Sequence, residues 1–139
     1  FDIGEKYLVY KRPFVDLFLR FAFSLCHVGI WSAGNEVYVK EVVKKLCLPD
    51  QIPEFVFWRD HCSGTREHYC KPLKYICECL DNVLHIDDRK NNFVANPNQG
   101  IEIESFDNPS EQENDMQLLR MLGVVGKFAT DWKRRQIKK

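Results

Sequence analysis

Two adjacent carboxylates, Asp87 and Asp88, directly follow the short, largely apolar run of residues 83–86. In open α/β sheets, ligands bind beyond the carboxyl ends of the strands, and neighbouring carboxylates there need a cation or hydrogen-bond donors to balance their charge. Mg²⁺ is the natural cation, because it prefers a few carboxylates together with water and a phosphate. The alternative is a pair of helix N-capping residues, since Asp is a favoured cap. The pattern alone leaves both interpretations open.

Ser32 is a second candidate functional residue. It lies in the turn Trp31-Ser32-Ala33-Gly34, which follows another apolar run. A hydroxyl followed by small residues at the start of a helix presents its own O–H and backbone N–H groups to an anion. An ordinary serine N-cap gives the same pattern. By itself, that simpler explanation is the favoured one.

The six cysteines, together with His61 and His68, raise the question of a zinc site. Their spacings lack the paired C-x₂₋₄-C arrangement, and Cys77 and Cys79 on a helix would point their thiols to different faces. A chain with 45% hydrophobic residues also does not need disulfide staples. We therefore interpret the cysteines as reduced thiols of an intracellular protein.

Helical periodicity marks several segments that would position these residues. Apolar residues recur at the spacing of one helix face over residues 13–26, and again over residues 39–46 before Pro49 ends the pattern. The spacing returns at residues 118–125, near the end of the chain. A shorter stretch, residues 73–80, is also predicted to be helical.

Short apolar runs lie between these helices and are typical of strands buried on both faces. We predict strands at residues 28–31, 55–58 and 83–86, and a further strand near residues 101–104. Helices that alternate with such strands predict an α/β fold with a mostly parallel sheet. The strands at 28–31 and 83–86 are expected to lie in that one sheet.

Composition and charge limit the possible classes of function. At 139 residues and 16.4 kDa, the chain is long enough for a single domain, residues 1–139, with one hydrophobic core. The 20 basic and 20 acidic residues cancel, so the overall charge favours no direct binding of nucleic acid. No apolar stretch approaches the roughly 18 residues that a membrane span requires.

Several stretches match an ordered set of motifs. Lys11-Arg12-Pro13 and the residues after it are similar to KRP.VDEFL, and residues 59–73 resemble RESCVFHRGNYVKDL without gaps. Residues 83–88 match VLILDN, and later residues, Phe93 and Pro97 among them, are in register with YVFHPDNAVPVASWFDN. In this the chain resembles haloacid-dehalogenase-like phosphatases of the NLI-interacting-factor type, which act on the C-terminal tail of RNA polymerase II. The resemblance covers nearly the whole chain and accounts for the cysteine cluster without zinc.

The resemblance implies a Rossmann-like core and a role for four residues. Ser32 matches the family's second-motif hydroxyl, which hydrogen-bonds the transferring phosphoryl group; the family often has Thr there. Lys71 matches the third-motif lysine, which neutralises phosphoryl and nucleophile charge. Asp87 matches the aspartate that binds Mg²⁺. Asp88 stands where these tail phosphatases commonly have Asn and related families have a second metal-binding Asp.

One motif of the family is absent from the sequence. The family's DLDET carries the aspartate nucleophile and an acid–base aspartate, and it precedes a hairpin that residues 1–10 resemble. Asp2 cannot replace the nucleophile, because Gly4 and Lys6 stand where the motif needs Asp and Thr. We therefore expect an N-terminally incomplete domain, whose central first strand comes from an upstream segment or a partner chain.

The resemblance implies a Mg²⁺-dependent phosphoserine or phosphothreonine protein phosphatase whose nucleophile lies upstream of this chain. Its partner would be a phosphorylated protein or peptide. The alternative is a non-catalytic scaffold or interaction subunit on the same fold, of which the mitochondrial inner-membrane translocase receptor is a family example. The expected location is intracellular, nuclear or cytoplasmic, with a mitochondrial location as the alternative.

Overall fold

The computed structural model describes residues 1–4 and 6–139 and builds them from three α-helices, six short strands and several 3₁₀ turns. The helices are α1 (Val15–Leu25), α2 (Glu36–Leu46) and α3 (Gln117–Ile137). The strands are β1 (Asp2–Ile3), β2 (Tyr7–Leu8), β3 (Ile30–Trp31), β4 (Val56–Phe57), β5 (His85–Asp87) and β6 (Gly100–Glu102). The α/β class predicted from the alternation of helices and strands is confirmed.

The three α-helices form where the apolar periodicity predicted them. Asn35 begins α2, because its side-chain oxygen accepts a 2.9 Å hydrogen bond from the Tyr38 amide. α1 and α3 pack against each other through their apolar faces. The buried side chains of that pair are Leu19, Ala22, Leu118, Met121, Val125 and Ala129. Within residues 1–4 and 6–139, no helix has the length and apolar character to cross a bilayer.

The helix predicted for residues 73–80 is wrong. The structure has two short 3₁₀ turns in this region, Leu73–Tyr75 and Leu80–Asn82. Only Leu73 of the predicted helix is buried, and its amide donates a 2.9 Å hydrogen bond to the side chain of Asn96. A segment this short, without an apolar face against the core, does not offset the cost of nucleating an α-helix.

The strands form separate two-stranded units. β1 and β2 make an antiparallel hairpin, as the resemblance implied, while β3 pairs in parallel with β4 and β5 pairs in parallel with β6. The prediction that the strands at 28–31 and 83–86 share one hydrogen-bonded sheet is wrong for the described residues. β3 and β5 each have one paired edge, and no described strand lies between their other edges to join the two pairs into one sheet.

Backbone hydrogen bonds show which edge of β3 has no strand partner among the described residues. The amides of Ile30 and Ser32 donate to carbonyls of residues 55 and 57, each at 3.0 Å, so these residues face β4. Because a parallel strand bonds to its neighbours through alternate residues, the backbone groups of Trp31 point to the opposite side. That side is the one without a strand partner in the described chain.

A bidentate ion pair joins the segments that lead into α1 and α3. Arg12 Nε and Nη2 each donate a 2.9 Å hydrogen bond to one carboxylate oxygen of Asp115, and the two side chains are only 12% and 5% exposed. The hydrogen bonds from Arg12 hold the pKa of Asp115 below its ordinary value, against the smaller opposing effect of burial. The pair therefore fastens together the two helices whose packing makes the core.

We predict that Asp115→Asn lowers the free energy of unfolding by about 3 kcal/mol, because it leaves the largely buried Arg12 guanidinium without its anion. Urea unfolding at neutral pH measures the loss. The matched control is Asp16→Asn, which breaks the exposed Lys11–Asp16 pair and should cost less than about 1 kcal/mol. Equal effects of the two substitutions would contradict the assignment.

The same pair predicts a pH dependence of stability. Because the pKa of Asp115 is lowered in the folded state, the unfolded chain binds the proton first as the pH falls. The stabilisation is complete above the ordinary carboxyl pKa of about 4 and is lost as the pH falls through the lower, folded value. Below about pH 4, the wild-type protein should therefore lose more stability than Asp115→Asn does.

Candidate active site

The four residues singled out in the sequence line one cavity at the carboxyl ends of the parallel strands. The cavity has a volume of about 650 Å³. Ser32 follows β3 directly, Asp87 ends β5, Asp88 comes next, and Lys71 belongs to the long connection between β4 and β5. Two separate strand pairs thus converge on one site, at the sheet edge where parallel α/β folds bind ligands.

The cavity contains a buried ion pair between Lys71 and Asp87. Lys71 Nζ donates to Asp87 Oδ2 at 2.5 Å, and the two side chains are 6% and 8% exposed. The backbone N–H of Arg89 donates to the other carboxylate oxygen at 3.1 Å. The Lys71 amide in turn donates to the carbonyl of the buried Asn92 at 3.3 Å. These contacts tie the loop that carries the lysine to the segment that follows β5.

The pKa of Asp87 lies well below the ordinary carboxyl value. Burial acts to raise that pKa, but the neighbouring ring of His85, the charge and hydrogen bond of Lys71, and Asn92 together outweigh it. His85 Nε2 is 3.4 Å from Asp87 Oδ2. Sequence reasoning missed this histidine, although its place two residues before the carboxylate on a strand puts both on one face. Asp87 is therefore ionised at neutral pH.

Ser32 and Asp88 keep free bonding capacity. Ser32 Oγ accepts a 3.0 Å hydrogen bond from the amide two residues further on, so its own O–H remains available to donate to a ligand. The N-cap of α2 is Asn35, so the capping explanation does not account for Ser32. Asp88 is half-buried, and its carboxylate makes no ion pair or hydrogen bond with another described residue.

Asp87 and Asp88 provide hard oxygen ligands that suit Mg²⁺. This ion keeps several of its waters and needs only one or two carboxylates from the protein, so the donor set fits it. In the part of the chain that the structure describes, no three His, Cys, Asp or Glu side chains cluster so that they could hold a metal. The fit therefore rests on the two aspartates, of which Asp88 has a carboxylate that no other described residue binds.

Cys62 is a second neighbour of the site that sequence reasoning did not assign. An antiparallel bridge pairs Ser63 with Cys70, which places Cys62 opposite Lys71 at the next position of the register. Cys62 Sγ lies 4.0 Å from the Ser32 carbonyl oxygen. Burial raises the pKa of the Cys62 thiol, so it stands beside the site as a neutral group. All six cysteines are free thiols.

Comparison with known proteins identifies the family. A family model described as NLI interacting factor-like phosphatase matches residues 2–134, nearly the whole chain, and the chain belongs to this family. The resemblance inferred from the motifs is thereby confirmed.

Three curated relatives show the range of similar proteins. CTD nuclear envelope phosphatase 1B of Danio rerio is 30% identical over 121 residues, which cover 86% of this chain and 48% of that protein. CTD small phosphatase-like protein 2 of Dictyostelium discoideum is 31% identical over 112 residues, 81% of this chain and 19% of that protein. Mitochondrial import inner membrane translocase subunit TIM50 of Kluyveromyces lactis is 28% identical over 123 residues, 86% of this chain and 24% of that protein. The chain spans about half the length of the nuclear envelope phosphatases that it matches.

We predict that Lys71→Met lowers the free energy of unfolding by about 3 to 5 kcal/mol, because it leaves the Asp87 carboxylate buried without a cation. Urea unfolding measures the loss, and adding Asp87→Leu to Lys71→Met should recover part of it. The control is Lys40→Met, which breaks an exposed pair with Glu36 on α2 and should cost less than about 1 kcal/mol. A double variant less stable than Lys71→Met would show that the cost has another source.

Proposed function

We propose that the protein to which this chain belongs is a Mg²⁺-dependent phosphoserine or phosphothreonine protein phosphatase. The observation that carries the proposal is the convergence on one cavity of a free hydroxyl, a buried ammonium group and two carboxylates. These groups belong to Ser32, Lys71, Asp87 and Asp88. Phosphoryl transfer requires from the protein mainly positioning and positive charge around the transferred group, and this set of side chains supplies both.

Each side chain has a distinct task in the proposed reaction. Lys71 neutralises negative charge on the phosphoryl oxygens and on the attacking carboxylate, and its burial makes that interaction stronger than it would be in water. Ser32 orients the phosphoryl group by donating its O–H. Asp87 and Asp88 hold Mg²⁺, which when bound stabilises charge on the transferring group as a Lewis acid. The hydrogen bonds from Lys71 and from the Arg89 amide keep Asp87 in place.

The nucleophilic aspartate is assigned to a strand outside the described residues. The free edges of β3 and β5 support this, because a parallel strand between them would pair with both and end beside Ser32 and Asp87. An upstream segment of the same protein, or a partner chain, supplies the strand. Its carboxylate attacks phosphorus to form an aspartyl-phosphate and the protein substrate leaves as an alcohol, protonated by the second aspartate. Water then releases inorganic phosphate and restores the carboxylate.

A second function is favoured by one of the comparisons. Similarity to a mitochondrial translocase subunit supports a non-catalytic scaffold or interaction subunit on the same fold. The two proposals differ in the strand that completes the sheet, since only the phosphatase needs a D-x-D-x-[TV] motif at its end. Both place the protein inside the cell. We expect a nuclear or cytoplasmic location for the phosphatase and a mitochondrial location for the scaffold.

The test is turnover by the full-length protein. We expect Mg²⁺-dependent hydrolysis of a phosphoserine peptide, with Ser32→Ala lowering kcat/KM about a hundredfold, a typical cost of removing one donor to the transition state. Ser32→Thr keeps the hydroxyl and should retain most of the activity. The 139-residue chain alone should release no phosphate above background, because the proposal places the nucleophile outside it.

Two results would contradict the phosphatase proposal in different ways. A full-length protein that hydrolyses neither a phosphopeptide nor an aryl phosphate with Mg²⁺ would favour the scaffold. Turnover by the isolated chain that Asp87→Ala abolishes would mean that the nucleophile lies within residues 1–139.

A further inference from the structure

Positive charge is concentrated around the candidate active site. The chain as a whole carries 20 basic and 20 acidic residues, but the site cavity is lined by five cations and three carboxylates. The cations are Arg12, Arg59, Arg66, Lys71 and Arg89, and the carboxylates are Glu67, Asp87 and Asp88. A second cavity, of about 1010 Å³, has equal numbers of cations and carboxylates besides one histidine. They are Arg20, Lys133, Asp50 and Glu54. Asp115, the partner of Arg12, does not line the site cavity, and when it is counted the cations still exceed the carboxylates by one.

Two of the five cations have side chains without any partner among the described residues. Arg12 and Lys71 are neutralised by the carboxylates described above, and Arg59 Nε donates a 2.9 Å hydrogen bond to a backbone carbonyl. By contrast, the guanidinium groups of Arg66 and Arg89 form no ion pair and no hydrogen bond with any residue in 1–4 or 6–139. Both residues are exposed at the cavity. Each fork of donors is free to bind a ligand.

The backbone holds these two arginines on neighbouring segments. Arg66 lies on a loop closed by paired hydrogen bonds between Ser63 and Cys70, each 2.9 Å long. Gly64 shapes that loop with a φ of +91°, and a Cβ there would come within 2.3 Å of a backbone oxygen. Arg89 is placed by its amide hydrogen bond to Asp87. The two segments are in contact, because the side-chain nitrogen Nδ2 of Asn91 lies 3.5 Å from Nδ1 of His68 on the loop.

We propose that Arg66 and Arg89 form a subsite for a second anionic group on the substrate, a carboxylate or a phosphate next to the phosphorylated residue. This inference rests on the proposed phosphatase function. The Arg guanidinium matches both kinds of anion, because its planar donors bind carboxylate and phosphate oxygens in pairs. Lys71 is assigned to the phosphoryl group itself and is paired with Asp87, so it is not free to bind a second anion as well. The substrate class is therefore an acidic or multiply phosphorylated phosphopeptide.

The test compares three phosphoserine peptides on the full-length protein. The peptides differ only at the two positions that flank the phosphoserine. Both positions are Ala in the first peptide, Glu in the second and phosphoserine in the third. We expect kcat/KM to be about tenfold higher for either anionic peptide than for the Ala peptide, the combined effect of two exposed ion pairs. Arg66→Gln and Arg89→Gln should each reduce this ratio to about threefold. Lys90→Gln, a neighbour that does not line the cavity, is the matched control and should leave the ratio unchanged.

Binding measurements separate this inference from the phosphatase proposal. Fluorescence anisotropy gives the Kd of each labelled peptide whether or not the protein turns it over. Tighter binding of the anionic peptides that depends on both arginines, without any turnover, would sustain the subsite and defeat the proposed activity. A preference confined to the Glu or to the phosphoserine peptide identifies the anion and supports the subsite. Wild-type protein that does not discriminate, or a preference that persists in the Arg66→Gln/Arg89→Gln double variant, would overturn it.

Discussion

The ion pair between Lys71 and Asp87 is the interaction on which the candidate site depends. A buried ammonium and a buried carboxylate are tolerated only together, because either one alone would have lost its hydration without compensation. Lys71 belongs to a loop and Asp87 to the end of β5, 16 positions apart. Their pairing therefore fixes one wall of the cavity and, after the His85 ring, contributes most to keeping Asp87 ionised. In the proposed phosphatase, Lys71 would act on the phosphoryl group while paired with Asp87, and the proposed second anion would be bound by Arg66 and Arg89, whose guanidinium groups have no partner among the described residues.

The strand pairs impose the second constraint. Residues of β3 and β5 are only half-buried, and the buried apolar side chains are concentrated between α1 and α3 instead. His85 Nδ1 on β5 is buried without a hydrogen-bond partner among the described residues, and buried Trp31 Nε1 on β3 has beside it only the thiol of Cys62, a weak acceptor. An unsatisfied buried polar group costs about 1 to 3 kcal/mol. Together with the unpaired backbone edges, these groups support the proposed additional strand between β3 and β5, which would bring its own carboxyl end to the cavity.

Much of the candidate site was predictable because its residues come at the ends of short apolar runs. Ser32 and the adjacent Asp87 and Asp88 follow such runs directly, which made them candidates, but N-capping stayed open as an explanation until the family motifs implied their roles. Lys71 could be assigned only through the family motif, because nothing in its local sequence marks a lysine that becomes buried. His85 and Cys62 were missed for a related reason: their importance arises from neighbours that folding brings to them.

The sequence by itself determined the α/β class and the three helices, since the 3.6-residue periodicity of apolar side chains is a local property that needs no partner to be recognised. Tertiary structure decided the rest. Strand pairing, the 3₁₀ turns at Leu73–Tyr75 and Leu80–Asn82, and the pairing of Arg12 with Asp115 across 103 positions all depend on which distant groups lie alongside. Local sequence patterns specify how a segment can fold, whereas hydrogen-bond partners, burial and charge compensation are set by contacts between segments far apart in the chain.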